Sequence, residues 1–222
     1  MPIISTLRDF RLSGKTVFLR LDLNVPLADP DLETRERRVE DDSRIVEALP
    51  TIRFAVEQGA RVVIASHLGR PEGKFAEEYS LEPVARRLAV LLKTEVTLLD
   101  DCVGDGIELM VRNLKNGQVV MFENLRFHAE EEACDNDFSR RLARHCQIYI
   151  NDAFGTAHRK HASTYGVPLV APFRGMGFLM EKELKFLDPL LHQPAKPFYA
   201  ILGGSKVTDK IKTIQSLIRK LD

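Results

Sequence analysis

Short apolar runs alternate with stretches of helical periodicity along most of the chain. The apolar runs are rich in Val, Ile and Leu, which is typical of strands that are covered on both faces. They predict strands at 16–25, 61–66, 95–99, 118–122, 147–151 and 197–202. Because strands that alternate with helices form right-handed βαβ units, the pattern indicates an α/β fold with a parallel sheet.

Helices are predicted between most of these strands. Residues 43–58 carry apolar side chains at spacings of three and four, and Gly59 ends that pattern. The other predicted helices cover 80–93, 106–114, 137–145, 180–191 and 206–221. Pro189 is expected to kink or end the helix at 180–191, because proline has no N–H to donate.

A proline-rich segment around Pro194 and Pro197 indicates a linker. Beyond it the sequence has one strand, one turn and one helix before it stops at Asp222. A single βα unit cannot bury both faces of its strand. We therefore expect a domain boundary near Pro194, followed by only the opening of a second domain.

The composition and net charge of the chain argue against several classes of function. The 222 residues carry 32 Lys and Arg against 32 Asp and Glu, which argues against a protein that coats nucleic acid. No run of 18 apolar residues and no signal peptide is recognisable, so we expect no membrane association. The three cysteines are odd in number and lack CxxC spacing, which favours reduced thiols in the cytoplasm over disulfides or a zinc site.

Polar side chains follow four of the predicted strands, where ligands bind to open parallel sheets. They are Asp22 and Asn24, then His67, Leu68, Gly69 and Arg70, then Arg126, and then Arg159, with Arg44 opening the first long helix. Taken singly, such an arginine is usually solvated and such a histidine is usually structural. Their shared position at one sheet edge instead indicates a site for a small, strongly anionic metabolite, since the planar guanidinium suits phosphate and carboxylate.

A second candidate site is the turn that contains Gly203, Gly204, Lys206 and Lys210. Two glycines before a helix let backbone N–H groups approach a phosphate, although an ordinary tight turn with exposed lysines has the same pattern. By contrast, the sequence Gly14-Lys15-Thr16 is not a Walker A loop, because Asp9 stands where that motif needs glycine.

Seven collinear segments resemble phosphoglycerate kinase. They are RLDLNVP (20–26), SRIVEALPTI (43–52), ASHLGRP (65–71), ENLRFHAEEE (123–132), YINDAFGTAHRKHAST (149–164), GFLMEKEL (177–184) and ILGGSKVTDKI (201–211). The resemblance runs over essentially the whole chain, and together these motifs are highly specific.

The resemblance implies two Rossmann-like α/β lobes joined by a hinge helix. The expected parts are a 3-phosphoglycerate-binding lobe at 1–176, an interdomain helix and linker at 177–195, and the beginning of a truncated nucleotide-binding lobe at 196–222. The implied activity is reversible phosphoryl transfer between ATP and 3-phosphoglycerate, giving ADP and 1,3-bisphosphoglycerate, in the cytoplasm. Full-length members are typically monomeric, and the implied partners are small molecules only.

The resemblance also implies roles for the residues. The substrate site would comprise Asp22, Asn24, Arg44, His67, Leu68, Gly69, Arg70, Arg126 and Arg159. The nucleotide-phosphate turn would comprise Gly203, Gly204, Lys206 and Lys210. Arg44 and Lys206 are expected to stabilise the transferring group. Mg²⁺ would bridge the nucleotide phosphates, with no protein ligand expected in this segment.

Two departures from the family pattern stand out. The loop at 28–42 is longer and more charged than usual, which makes the placement of Arg44 less certain. Most of the nucleotide lobe is absent, so the 222-residue chain is expected to be inactive by itself. The alternative hypothesis is a non-catalytic domain that binds a phosphorylated metabolite and needs a partner chain for its nucleotide lobe.

Overall fold

The computed structural model describes residues 4–192, 194–199, 201 and 211–218. The chain divides into two units, Met1–Met180 and Glu181–Asp222. Within the described residues, no helix is both long and apolar enough to cross a membrane.

A six-stranded sheet, in which every strand pair is parallel, organises the first unit. Its strands are β1 (Thr16–Arg20), β2 (Arg61–Ala65), β3 (Val96–Leu98), β4 (Val119–Met121), β5 (Ile148–Asn151) and β6 (Phe173–Met176). Their order across the sheet is β3-β4-β2-β1-β5-β6. The predicted parallel α/β architecture is confirmed.

Helices connect the strands. The described helices are α1 (Ser43–Glu57), α2 (Glu82–Leu92), α3 (Asp105–Arg112), α4 (Ala129–Ala133), α5 (Asn136–Ala143), α6 (Val167–Val170), α7 (Phe178–His192) and α8 (Ile211–Ile218). Short 3-10 turns follow β4 and β5, and a π-helical turn covers Ala162–Gly166.

Apolar side chains on the two faces of the sheet form two cores. Val17 and Leu19 of β1 belong to a cluster with buried residues of α1 and α2, whereas Phe18 belongs to a cluster with residues of α3 and α5. The ring of Phe18 lies 5.8 Å from that of Tyr149 and 6.0 Å from that of Phe122, measured between centroids. Each such buried side chain contributes about 1.5–3 kcal/mol, so both faces of β1 hold the fold together.

The strand order places a crevice at the carboxyl ends of β1 and β5. From β1 the chain moves to β2 on one side, and it later returns to add β5 on the other side. In open parallel sheets, ligands bind where the order reverses in this way. The strand order and the polar residues of the sequence therefore indicate the same edge of the sheet as the candidate ligand site.

Several predicted boundaries were wrong. β1 ends at Arg20 and not at residue 25, although Leu21, Leu23 and Val25 remain buried. The edge strand β6 was not predicted. In the segment 197–202, residues 197–199 and 201 form no strand, while 200 and 202 lie outside the described residues. Of the predicted helix at 206–221, the structure describes α8.

Pro189 lies inside α7, which continues to His192. The helix therefore does not end at Pro189, and the kink expected there stays a prediction. A proline so close to the carboxyl terminus removes its own N–H bond and leaves most of the earlier helix intact.

Candidate functional site

The predicted substrate residues of the first unit lie at the carboxyl edge of the sheet. Asp22 and Asn24 follow β1, His67 to Arg70 follow β2, Arg126 lies in the 3-10 turn after β4, and Arg159 follows β5. Parallel strands bring these turns together, although up to 137 positions separate them in the sequence (22 to 159).

His67 lies at the centre of this edge and is a neutral group. Its side chain is buried, and burial together with the charges of Arg20, Arg126, Arg159 and Arg44 lowers its pKa to about 2. The guanidinium of Arg20 is 3.2 Å from Nδ1 of His67 and can only donate to it. The imidazole proton therefore resides on Nε2, where it can be donated to an anion.

Arg20 holds His67 through a buried network that the candidate set did not include. Its Nε donates to the hydroxyl of Ser163 at 2.7 Å, and that hydroxyl donates to the carboxylate of Glu131 at 2.5 Å. Tyr149 donates to the carbonyl of Ser163 at 2.8 Å. The network allows a fully buried arginine at the end of β1, since a carboxylate offsets its charge through one hydroxyl.

One signal in the sequence points to Arg20. It is a charged residue inside an otherwise apolar strand, and a buried charge requires partners. The partners themselves are not recognisable from the sequence, because Ser163 lies 143 positions away.

Gly69 joins two of the predicted residues through its backbone. Its N–H donates to Oδ1 of Asn24 at 2.8 Å, and its carbonyl accepts from the guanidinium of Arg126 at 2.8 Å. Gly69 has φ of +59°, and a Cβ there would lie 2.3 Å from the ring of Tyr79. Both the backbone angle and the close ring require glycine at this position.

Arg126 carries a buried donor with no hydrogen-bond acceptor. Its residue is 5% exposed, and burial lowers the pKa of its guanidinium. Nε lies 3.1 Å from Oε1 of Glu132, but the geometry there is not that of a hydrogen bond. A desolvated guanidinium with a free donor is well suited to a phosphate or carboxylate oxygen.

Arg44 is the second residue of α1, and its guanidinium lies 2.7 Å from Oδ2 of Asp22. Asp22 is the more buried partner, with 15% of its side chain exposed against 53% for Arg44. A Cβ at Gly155 would come within 3.3 Å of the same Oδ2, so this glycine leaves room for the carboxylate. Asp22 thus orients Arg44 toward the crevice edge.

The charged loop at 28–42 is tied to α2. Arg86 lies 2.8 Å from Glu36, and Arg87 lies 2.6 Å from Asp42. Asp42 is the residue immediately before α1. These ion pairs fix the entry to the helix that carries Arg44, so the long loop leaves Arg44 beside Asp22.

The remaining predicted residues differ from these in exposure or in the group they contribute. The side chain of Arg70 is exposed, in the turn that follows β2. Leu68 contributes its backbone, which bonds to the side chain of Asn124 through both N–H and carbonyl. The turn with Gly203, Gly204, Lys206 and Lys210 lies outside the described residues.

The beginning of α7 is fixed to the carboxyl end of β5. The buried carboxylate of Asp152 accepts from the hydroxyl of Thr51 at 2.5 Å and from the N–H of Met180 at 2.9 Å. Thr51 in turn accepts from the N–H of Phe178 at 3.0 Å. Burial raises the pKa of Asp152, so its partners are needed to keep it ionised.

Comparison with known proteins identifies the family. The family model described as phosphoglycerate kinase matches residues 7–222. The chain belongs to the phosphoglycerate kinase family. Phosphoglycerate kinases are phosphotransferases, which agrees with a crevice that collects guanidinium groups.

Individual phosphoglycerate kinases are similar over nearly the whole chain. The one from Anaeromyxobacter sp. (strain Fw109-5) is 51% identical over 221 residues, which cover 99% of this chain and 54% of the relative. The one from Borrelia hermsii is 51% identical over 217 residues, or 98% of this chain and 53% of the relative.

Solved structures of phosphoglycerate kinases have the same fold as this chain. The phosphoglycerate kinase from Coxiella burnetii matches with a TM-score of 0.86 at 40% identity, covering 99% of this chain and 53% of that one. The one from Pyrococcus horikoshii OT3 matches with a TM-score of 0.85 at 38% identity, covering 97% of this chain and 52% of that one. The chain therefore spans about half the length of the phosphoglycerate kinases that it matches.

Proposed function

We propose that the crevice binds 3-phosphoglycerate for reversible phosphoryl transfer with ATP, giving ADP and 1,3-bisphosphoglycerate. The observation that carries this proposal is the arrangement of Arg20, Arg44 and Arg126 with the buried His67 at one edge of the sheet. Asp22, Glu131 and Glu132 offset part of the positive charge, and a bound anion would neutralise the rest. A small phosphorylated acid would supply that negative charge.

The residues divide into two roles in this proposal. Arg126, Arg159 and Arg70 hold the phosphate that the substrate already carries, and His67 donates from Nε2. Arg44, held by Asp22, faces the carboxylate end of the substrate and stabilises charge on the group in transfer. No general base is needed, because the attacking carboxylate is already ionised at neutral pH.

Positioning and charge neutralisation supply most of the rate in this kind of chemistry. The two reactants are both polyanions, so a lobe that holds one of them among guanidinium groups reduces their repulsion. Lys206 is expected to follow the transferred phosphoryl group, together with Lys210 and the backbone at Gly203 and Gly204.

Mg²⁺ would accompany the nucleotide and supply charge neutralisation on its phosphates. The ion prefers oxygen ligands, which the nucleotide phosphates supply. The turn that would contact the nucleotide lies outside the described residues. We therefore assign Mg²⁺ to the nucleotide and to no side chain of the described part of the chain.

The proposal also assigns a role to each part of the chain. The lobe at 1–176 holds the substrate, 177–195 joins the lobes, and 196–222 begins the nucleotide lobe. Soluble metabolites as substrates fit a cytoplasmic, monomeric enzyme. A chain of these 222 residues is expected to bind 3-phosphoglycerate without turning it over.

Titration calorimetry tests the substrate site. We expect 3-phosphoglycerate to bind the chain, and glycerate, which lacks the phosphate, to bind at least about tenfold more weakly, the equivalent of 1.4 kcal/mol. Arg126→Ala should abolish most of the binding, because it removes the buried donor. Arg112→Ala is the matched control, since Arg112 is exposed and lies at the end of α3.

Two results would contradict the proposal. One is a folded chain that releases no heat with 3-phosphoglycerate. The other is an Arg126→Ala variant that binds it as tightly as the parent. A coupled assay for ATP consumption separates binding from turnover, and turnover by the 222-residue chain would overturn the expected inactivity.

A further inference from the structure

A second group of polar side chains lies beside the crevice, after the neighbouring strands β3 and β4. Asp101 and Cys102 belong to the turn that follows β3, and His128 follows the 3-10 turn after β4. One carboxylate oxygen of Asp101, Sγ of Cys102 and one ring nitrogen of His128 all lie within 4.8 Å of one another. The substrate site uses none of the three.

We propose that Asp101, Cys102 and His128 form a site for Zn²⁺ or a similar borderline divalent cation. Tetrahedral zinc with ligand bonds of about 2.0–2.3 Å places its ligand atoms about 3.3–3.8 Å apart. In the present group no pair lies farther apart than 4.8 Å, and Oδ1 of Asp101 lies only 2.6 Å from Nε2 of His128, so these two atoms must separate by about 0.7 Å to admit the ion. A rotamer adjustment of an exposed side chain provides that movement.

Two of the three ligands are already fixed in place. The side chain of Cys102 is buried, and the N–H of Cys102 donates to Oδ1 of Asp101 at 2.6 Å. The imidazole of His128 packs against the ring of Phe138, with centroids 5.0 Å apart, and its Nε2 lies 2.6 Å from Oδ1 of Asp101. Pre-positioned ligands lower the entropy that binding an ion would cost.

Metal binding at this group releases a proton to solvent, because zinc binds cysteine as the thiolate and histidine as the neutral imidazole.

The chemistry of the donors selects the kind of ion. Sulfur and imidazole nitrogen favour zinc and related metals, whereas Mg²⁺ and Ca²⁺ prefer sites made only of oxygen. The group is also open on one side, because 45% of the Asp101 side chain and 26% of the His128 side chain are exposed. A water molecule has room there to complete four-coordination around three protein ligands.

The three residues do not match the sequence spacings by which zinc ligands are usually recognised. Cys102 has no second cysteine nearby, and His128 lies 26 positions further along the chain (128 − 102). The sequence therefore indicated no zinc site, and the proposal depends on the pairing of β3 with β4, which brings the two turns together.

Cobalt titration tests the site on the full 222-residue chain. Co²⁺ bound to a thiolate gives an intense charge-transfer absorption in the near ultraviolet, and we expect this band to appear and to be removed by Zn²⁺ but not by Mg²⁺. Cys102→Ser should eliminate the band. Cys134→Ser is the matched control and should retain it.

His128→Gln decides the outcome if Cys102→Ser does not fold, because His128 is partly exposed. We expect at least about a tenfold loss of Co²⁺ affinity in His128→Gln, with an unchanged circular dichroism spectrum. The proposal is overturned if the parent chain develops no thiolate band. It is also overturned if a folded Cys102→Ser variant keeps the band, or if His128→Gln binds Co²⁺ as tightly as the parent.

Discussion

Individual buried polar residues decide the chemistry of the crevice. Arg20 and His67 are both almost fully buried, and the guanidinium of Arg20 donates to Nδ1 of His67. Ser163 links Arg20 to the carboxylate of Glu131. Burial, and then the charges of the surrounding arginines, keep His67 neutral. The pair therefore gives the site a fixed donor that does not titrate near neutral pH.

The low pKa of His67 predicts a specific acid sensitivity. Its folded value of about 2 lies below the value of about 6.5 in an unfolded chain, so the unfolded state takes up the proton first. Stability from this group is therefore present above pH 6.5 and is lost as the pH falls below it. At pH 5 the loss amounts to about 2 kcal/mol.

His67→Gln should remove this contribution. Urea unfolding at pH 7.5 and pH 5 should show a difference in unfolding free energy that is smaller by about 2 kcal/mol in the variant than in the parent. His158→Gln, at an exposed position, serves as the control and should keep the parent difference. An identical pH dependence in His67→Gln and the parent would mean that His67 is protonated in the folded state.

Among the elements, the junction of β5 with α7 is tightly packed. Gly177 lies between them, its N–H donates to the carbonyl of Asn151 at 2.9 Å, and a Cβ on it would lie 2.3 Å from the carboxyl carbon of Asp152. Asp152 is itself held by Thr51 and Met180. Neither side of the junction can move away without losing buried hydrogen bonds.

Gly177→Ala should therefore destabilise the chain by about 1–3 kcal/mol, as other overpacking substitutions do. Gly106→Ala is the matched control, because Gly106 lies in α3 with no atom within 4 Å of the added Cβ, and it should gain up to about 1 kcal/mol. Urea midpoints of the two variants measure both effects. Equal urea midpoints for Gly177→Ala and the parent would show that the backbone at the junction shifts to accommodate the added methyl group.

The elements also show what periodicity can and cannot reveal. The apolar pattern that predicted a strand at 16–25 includes Leu21, Leu23 and Val25, which are buried although they lie beyond β1. Periodicity reports burial, whereas a strand also requires a hydrogen-bonded neighbour. β6 escaped prediction for the converse reason, since Phe173 and Arg174 are exposed and the strand exists through its pairing with β5.

At the scale of the whole molecule, zero net charge conceals an uneven distribution. Arginine and histidine side chains collect at one edge of the sheet, and the sequence predicted this edge because the strands were recognisable to within a few residues of their carboxyl ends. The supporting residues Ser163, Glu131 and Thr51 were not predicted, since their roles arise only when distant turns meet. Local sequence patterns therefore indicate candidate ligand-binding side chains more readily than the residues that hold those side chains in position.

Protection against hydrogen exchange should follow position in the sheet. β1 and β2 have neighbours on both sides, whereas β3 and β6 are edge strands. We expect amides of β1 and β2 to exchange slowest and those of β6 to exchange fastest among the six strands, because edge strands open in local fluctuations. Exchange measured by mass spectrometry checks this order, and equal protection of β1 and β6 would contradict it.

The central position of β1 also bears on how the chain is made. β1 leaves the ribosome before the other five strands of the sheet, and β2 can join it early, but its other neighbour, β5, is about 131 positions away, the separation between the paired residues Val17 and Ile148. Until residue 151 has been synthesised, one edge of β1 has no partner in the sheet. Contacts this distant slow folding and expose apolar edges to association. The strand that is translated first is therefore among the last to be completed.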